Sequence, residues 1–249
     1  MPTVADWHAR FQHQSRWTAQ VQRFLFDGLG LSQAQNGLEV GCGTGVIARE
    51  LAKMGPARLH GIDLRLDFLE LAYREDSALR YACANGLKLP YASASFAFTF
   101  CHYFLLWISD PLAMLTEMRR VTRPGGPVFA IAEPDYGGRI DYPASLAGLA
   151  QKQALALRNQ GANPELGRGL LELFHQAGFH QPRSAVMGGQ WGQSQSPQDL
   201  ASEWNTLASD LSGQVPPLEL EEYKKQDALA WNNGQRILYI PTFYAWGFV

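Results

Sequence analysis

The 249-residue chain has few cysteines, no long hydrophobic run and almost no net charge. Cys42, Cys83 and Cys101 are odd in number and far apart, which argues against a disulfide scaffold or a structural zinc site. The longest nearly apolar run, residues 96–108, is too short to span a bilayer. The amino terminus lacks the basic and then apolar pattern of a signal peptide. We therefore expect a cytoplasmic protein without a metal site or a membrane partner.

The charge balance bears on the partners of the protein. Lysine and arginine number 21 against 23 acidic residues, which gives a formal net charge of −2. Since no run of Lys or Arg would attract nucleic acid, we expect a small-molecule substrate and no nucleic-acid partner. Hydrophobic residues make up 46% of the chain, which suffices for a core and excludes disorder and collagen-like structure. The oligomeric state is left open.

Short apolar runs alternate with amphipathic stretches in the first half of the chain. The predicted strands are residues 38–40, 59–63, 79–83, 96–101 and 128–132. The predicted helices are residues 46–54, residues 66–73 and a helix that Asp110 caps. This alternation predicts right-handed βαβ crossovers. We expect a doubly wound, Rossmann-like α/β fold, with helices on both faces of a mostly parallel seven-stranded sheet.

We interpret the chain as a single domain, residues 1–249, with four parts. They are an N-terminal helical cap (1–36), a core (37–135), a helical lid insertion (136–166) and the C-terminal part of the sheet with a helical insertion (167–249). Helices are predicted at 146–157, at 170–177 and at 197–231, the last interrupted at Pro216 and Pro217. A strand is predicted to end at Val186, and residues 236–244 alternate like one final strand.

The most informative stretch, residues 38–45, reads Leu-Glu-Val-Gly-Cys-Gly-Thr-Gly and joins the first strand to the first helix. Glycines there let the main chain turn sharply and let a ligand lie against it. A dinucleotide-binding loop needs its third glycine one residue later, where Val46 stands. Glu39 would also repel a pyrophosphate, whereas it suits a ligand with an ammonium group or free hydroxyls. A structural turn without a ligand is the plain alternative.

This stretch resembles the first motif, Glu-x-Gly-x-Gly-x-Gly, of the class I S-adenosylmethionine-dependent methyltransferases, in their small-molecule branch. The resemblance covers roughly residues 37–135, with a weaker echo at residues 167–186. It implies an enzyme that transfers a methyl group from S-adenosyl-L-methionine to a small organic acceptor by in-line displacement. The cofactor would be bound in the core, with first-motif contacts from Glu39, Gly41, Cys42, Gly43, Thr44 and Gly45.

Further cofactor contacts follow from the resemblance. Asp63 matches the acidic residue that binds the ribose hydroxyls in the family, and Leu64 matches the residue that packs on adenine. Asn85 stands where the family usually has aspartate, and its amide oxygen can accept a hydrogen bond from adenine. The N–H group of Gly86 would face a ring nitrogen. Alternatively, Asp63 is a helix N-cap, Leu64 a core residue and Asn85 a turn residue.

The fourth predicted strand ends at the stretch where the family places the methionine part of the cofactor, which would contact Cys101 and His102. His102 is the candidate catalytic base if the acceptor must lose a proton, and a satisfied, partly buried histidine is the alternative. We expect the acceptor pocket between the N-terminal helix, this strand end and the segment after the fifth strand. Its candidate residues are Trp17, Tyr103, Glu133, Asp135 and Tyr136.

Two other functions stay open at this point. One is a methyltransferase that acts on RNA or protein, and the other is a non-catalytic module that binds S-adenosylmethionine. The sequence does not identify the acceptor, the atom that receives the methyl group, or the need for a base.

Overall fold

The computed structural model describes residues 3–55, 58–189 and 197–249, and this part of the chain contains nine strands and eight α-helices. The strands are β1 (Gly37–Val40), β2 (Leu59–Asp63), β3 (Arg80–Cys83), β4 (Phe98–Cys101), β5 (Pro127–Pro134), β6 (Ile140–Tyr142), β7 (His180–Val186), β8 (Ile237–Tyr239) and β9 (Thr242–Phe248). The helices are α1 (Val4–Gly28), α2 (Val46–Ala52), α3 (Leu66–Glu75), α4 (Pro111–Val121), α5 (Gly148–Asn159), α6 (Leu166–Gln176), α7 (Pro197–Leu211) and α8 (Pro217–Asn232).

Seven strands form one sheet in the order β3-β2-β1-β4-β5-β9-β7. The first five of these strands are parallel, and β9 is antiparallel to both β5 and β7. The predicted mostly parallel, seven-stranded sheet is therefore confirmed. Because the strand order reverses between β1 and β4, the carboxyl ends of these two strands border a crevice in which ligands bind in open α/β sheets.

Helices cover both faces of the sheet, as alternation along β4 shows. Phe98 and Phe100 point to one face, where their rings stack with Phe129 beneath α1 and α2. Cys101 lies on the other face, in a second cluster with residues of α4 and α6. Alternate residues of a strand face opposite sides of a sheet, so an all-buried strand requires a cover on each side.

The last predicted strand is wrong in one respect. Residues 236–244 were expected to form a single strand, but they divide into β8, which pairs with β6 in a separate two-stranded sheet, and β9 in the main sheet. The break falls at Pro241, which has no N–H group to donate to a strand ladder. The three residues of β6 carried too short a pattern to be predicted.

Helices α5, α7 and α8 pack together outside the main sheet, and α7 contacts α1. A third cluster of buried residues joins α5, α7 and α8, and includes Trp204, Leu207 and Leu211 of α7. The predicted break of the long helical stretch is observed, because α8 begins at Pro217. No helix within the described ranges is both long enough and apolar enough to cross a membrane.

Candidate active site

The turn between β1 and α2 forms one wall of the site. Gly41 and Gly43 have φ angles of +73° and +54°, a region in which a residue with a side chain is strained. A Cβ atom on Gly41 would lie 2.1 Å from the ring of Phe104, and one on Gly43 would lie 2.7 Å from the ring of Phe11. The glycines therefore allow both the turn and the close approach of two aromatic side chains.

Asp63 joins this turn to the end of β2. One carboxylate oxygen accepts a hydrogen bond from the N–H of Gly43 at 2.8 Å, and the other accepts from the N–H of Arg65 at 2.9 Å. Arg65 is the N-cap residue of α3, so Asp63 is not the helix N-cap that the sequence left as an alternative. Its side chain also borders a cavity at the strand ends.

Glu39 lies at the base of the same cavity and is 2% exposed. Its Oε2 accepts a hydrogen bond from the N–H of Ala48 at 2.9 Å. Burial raises the pKa of this carboxyl well above its usual range, and the negative charge of Asp63 adds to the increase. Two carboxyl groups beside a glycine turn suit a ligand that presents hydroxyl or ammonium groups, because hydroxyl and ammonium groups donate hydrogen bonds to carboxyl oxygens.

The first cavity has a volume of about 400 Å³. Its lining comes from the glycine turn, the ends of β2 and β4, and one face of α1. The lining residues are Trp7, Arg10, Phe11, Gln14, Glu39, Gly41, Cys42, Gly43, Val46, Ile47, Asp63, Arg65, Phe68, His102, Tyr103, Phe104, Leu106, Trp107, Tyr136 and Gln160.

A second cavity, of about 500 Å³, lies next to the first. The two cavities share Arg10, Gln14, Tyr103 and Tyr136, which we call the junction residues. The other residues that line the second cavity are His13, Arg16, Trp17, Arg139, Gln153, Met187, Gly188, Gly189, Glu203, Thr206, Leu207, Leu238, Tyr239 and Ile240.

The segment that builds the first cavity also carries the likeness to known proteins. Residues 38–130 match the family model described as a methyltransferase domain. This match, together with the strand order of the sheet and the glycine turn, supports the class I S-adenosylmethionine-dependent methyltransferase family that the sequence resembles. The cofactor of this family is S-adenosylmethionine.

Curated relatives and solved structures agree with the assignment. The malonyl-[acyl-carrier protein] O-methyltransferase of Hahella chejuensis is 39% identical over 95 residues, which span 37% of this chain and 34% of that protein. The demethylmenaquinone methyltransferase of Corynebacterium urealyticum is 39% identical over 123 residues, 49% of this chain and 50% of that protein. The chain thus spans half or less of these two relatives.

The fold extends beyond the region that the sequence comparisons align. The structure of Haemonchus contortus phosphoethanolamine N-methyltransferase 2 in complex with S-adenosyl-L-methionine has a TM-score of 0.61 and 18% sequence identity. The likeness covers 92% of this chain and 52% of that one. At this identity the likeness shows a shared fold.

His102 borders the first cavity but is held by α1. Its Nε2 lies 2.9 Å from Oγ1 of Thr18, which donates its own proton to the carbonyl oxygen of Gln14 at 2.8 Å. The Nε2 atom of His102 is therefore the donor, and Nδ1 is the unprotonated nitrogen in this arrangement. Burial lowers the pKa of His102 to about 3, so the ring is neutral at neutral pH and a weak proton acceptor.

Glu133 does not face either cavity, contrary to its predicted place among the acceptor residues. Its Oε1 accepts hydrogen bonds from the N–H groups of Phe104 and Leu105 at 3.0 and 2.9 Å, and Oε2 accepts from Leu106 at 3.2 Å. The side chain is fully buried, and burial raises its pKa to about 7 although these donors act in the opposite direction. Glu133 therefore holds the turn that follows β4.

Of the other four predicted acceptor residues, one lies outside both cavities and three border at least one of them. Asp135 is 4% exposed, forms an ion pair with Arg168 at 2.6 Å and lies outside both cavities. Tyr103 and Tyr136 border both cavities, and Trp17, which is 51% exposed, borders the second. The structure thus brings three aromatic candidates together and assigns a structural contact to Asp135.

The predicted adenine contacts lie outside the first cavity. Leu64 is 67% exposed. Asn85 is the N-cap of a short 3₁₀ turn, and its side-chain oxygen accepts from the N–H of Leu87 at 2.9 Å, which is the alternative left open by the sequence. Gly86 is buried, and a Cβ atom there would lie 2.7 Å from Cε of Met114. Local structure and packing explain Asn85 and Gly86, whereas the exposed Leu64 is not the core residue that the sequence left as an alternative.

The remaining predicted cofactor residues are small and buried. Burial raises the pKa values of Cys42 and Cys101 well above their usual range, so both thiols stay protonated and pack as neutral side chains. Oγ1 of Thr44 lies 2.8 Å from Nδ1 of His8, which ties the glycine turn to α1. Gly45, with a φ of +72°, is the N-cap of α2. Of these four, Cys42 borders the first cavity.

Residues of α1 are the main part of the first cavity that the sequence interpretation missed. Trp7, Phe11 and Gln14 follow one another at helical spacing and border the cavity. The rings of Trp7 and Phe11 also contact Phe68 of α3, with centroids 6.3 and 5.6 Å apart. The periodicity was readable in the sequence, but the strand end that this face covers was not.

Proposed function

We propose that the protein transfers the methyl group of S-adenosylmethionine, bound in the first cavity, to a small organic acceptor bound in the second. The observation that carries this proposal is the junction, where Arg10, Gln14, Tyr103 and Tyr136 border both cavities. A donor in one cavity and an acceptor in the other can meet at these residues. The volume of the second cavity, about 500 Å³, lies in the range of sites for small molecules.

The residues of the first cavity fit the cofactor. The positive-φ glycines bring their main chain to the cavity wall, with the rings of Phe104 and Phe11 against it, and the carboxyl groups of Glu39 and Asp63 stand at the neighbouring strand ends. Asp63 would accept hydrogen bonds from the ribose hydroxyls, and Glu39 would accept from donors deeper in the cavity. When bound, the cofactor supplies a methyl group on a positively charged sulfur, which is already a strong electrophile.

The protein contributes mainly position and exclusion of water. Helix α1 covers the strand ends, held by the contact of His8 with Thr44 and by that of Thr18 with His102. Glu133 fixes the turn that carries Phe104 and Leu106 into the wall of the first cavity. Correct alignment of two reactants can lower a barrier by roughly 7–11 kcal/mol. We propose that His102 helps to hold α1 in place through its contact with Thr18. Because its pKa is low, it does not act as a strong base.

A binding titration followed by a transfer assay tests this function. Calorimetry should detect binding of S-adenosylhomocysteine, the product form of the cofactor, at one site per chain. The protein should then transfer a labelled methyl group from S-adenosylmethionine to at least one compound in fractions of small metabolites.

The outcomes separate the functions that the sequence left open. Label in RNA or protein fractions and not in small molecules would favour the macromolecular methyltransferase. Binding without any labelled product would favour a non-catalytic module. Absence of binding would contradict the proposal as a whole.

A further inference from the structure

The second cavity contains a carboxylate that methyl transfer as described above does not use. Glu203 of α7 is the acidic residue among the described residues that line this cavity. Within the same described ranges, no hydrogen bond or ion pair to its side chain is present. Glu203 is partly buried, and a carboxylate that is partly removed from water is stabilised by a partner that carries positive charge or donates hydrogen bonds.

The neighbouring acidic residues, in contrast, are all paired with arginine. Arg236 contacts Asp141 at 2.6 Å and Asp227 at 2.5 Å, and both side chains of each pair are nearly inaccessible. Asp141 also pairs with Arg139, and Asp210 pairs with Arg10 at 3.4 Å. Three arginines and three aspartates balance one another in this network, so its arginines Arg139 and Arg236 compensate the charge of Glu203 only in part.

The arginines that border the second cavity already have interactions within the protein. Arg10 and Arg139 belong to the ion pairs just described, and Arg139 also donates to Gln153. His13 and Arg16 border the cavity as well, and each has an interaction of its own in the protein. A ligand that brings a positive charge is therefore better matched to this cavity than one that brings a negative charge.

The surroundings of Glu203 support a cationic ligand. Burial raises the pKa of Glu203, and the positive charges of Arg139, His13 and Arg236 offset this effect only in part. The negative charge of Glu203 also contributes to raising the pKa of Tyr136, so the carboxylate acts on a junction residue. Aromatic rings of the same cavity add further attraction, because a ring face attracts a cation. They belong to Trp17, Tyr103, Tyr136 and Tyr239.

We propose that Glu203 recognises the methyl acceptor and that this acceptor carries a basic nitrogen, bound as an ammonium group against the Glu203 carboxylate. The inference rests on the proposed function, in which the second cavity holds the acceptor. It narrows the acceptor to amines with an apolar or aromatic part, since four aromatic and four aliphatic side chains line the same cavity beside its polar residues.

Three fragments of similar shape and different charge test the inference. They are 2-phenylethylamine, 2-phenylethanol and 3-phenylpropanoate, with dissociation constants measured by ligand-observed NMR for the protein alone and with S-adenosylhomocysteine. The ammonium fragment should bind about tenfold more tightly than the other two, which corresponds to about 1.4 kcal/mol. In Glu203→Gln this preference should disappear, because the amide keeps the shape of the side chain and removes its charge.

The matched control is Glu221→Gln, an exposed residue of α8 outside both cavities, which should keep the preference. Unchanged affinity of Glu203→Gln for S-adenosylhomocysteine would show that the variant is folded and that the first cavity is intact. Equal binding of the three fragments, binding of none, or a preference that survives Glu203→Gln would overturn the inference. Cofactor binding is measured separately, so any of these three results would contradict the inference without contradicting the proposed function. Loss of cofactor binding would contradict the proposed function, and the fragment affinities could still be interpreted.

Discussion

The two cavities are built in different ways. The first combines the glycine turn and the strand ends of residues 38–63 with side chains of α1 and of the turn after β4, so one short continuous stretch forms a distinct part of its wall. The second is formed by side chains of α1, α5, α7 and the region around β8, which are distant in the sequence. A site made of local main-chain turns leaves a motif, whereas one assembled from separate helices leaves none. The following predictions test this contrast.

The largest effect is expected from breaking the ion-pair network behind the second cavity. Arg236→Met leaves the buried Asp227 without a cation, with only the hydrogen bond from Nε1 of Trp204, and removes one of the two arginines from Asp141, so the free energy of unfolding should fall by about 3–5 kcal/mol. Urea unfolding measures this loss. The control Lys53→Met removes an exposed ion pair with Glu50 and should cost at most about 1 kcal/mol. Equal losses in the two variants would show that the network does not stabilise this part of the protein.

The next effect concerns the first cavity. Asp63→Ala removes the proposed ribose contacts and the acceptor for the N–H of Gly43. Affinity for S-adenosylhomocysteine should fall roughly ten- to a hundredfold, or about 1.5–3 kcal/mol, in a calorimetric titration. Glu70→Ala, an exposed acid on the following helix, should leave the affinity unchanged. If both variants bind as the natural protein does, the ribose lies elsewhere.

Glu133 offers a test of structural against substrate roles. Glu133→Gln places an amide NH₂ near an N–H group that now donates to the carboxylate, and should cost about 1–3 kcal/mol of unfolding free energy. Asp110→Asn, which retains a good N-cap for α4, should cost little. A stable Glu133→Gln protein that has lost acceptor binding would return this residue to the acceptor site.

A further prediction is a pH dependence of stability from His102, which appears only as the pH is lowered below the ordinary histidine range. Its pKa of about 3 in the folded protein is below the ordinary histidine value of 6.5, so the unfolded chain binds the proton more readily between these values. Stability should therefore fall as the pH is lowered from about 6.5 towards 3. Urea unfolding at several pH values should show a shallower decline for His102→Gln, and an unchanged decline for His180→Gln at an exposed position. Equal slopes for all three proteins would contradict the buried, neutral state of His102.

The sequence by itself determined the order of strands and helices and the site at the end of β1. Hydrophobic periodicity is a local property, and the glycines of residues 41–45 require a particular main-chain conformation wherever they stand. Asp63 was identified through the resemblance to the methyltransferase family, and its position at the end of a predicted strand agreed with that resemblance. The division of residues 236–244 into two strands depended on one proline, whose missing N–H group matters only beside a neighbouring strand.

Only the tertiary structure decided which side chains face the cavities. Glu133 and Tyr136 are three residues apart, yet one holds a buried turn and the other borders both cavities. Trp7 and Phe11 of α1 border the first cavity. Glu203 of α7, which is distant from them in the sequence, borders the second cavity together with other residues of α1. Such contacts join residues that no sequence interval relates, because they follow from how the helices pack against one another.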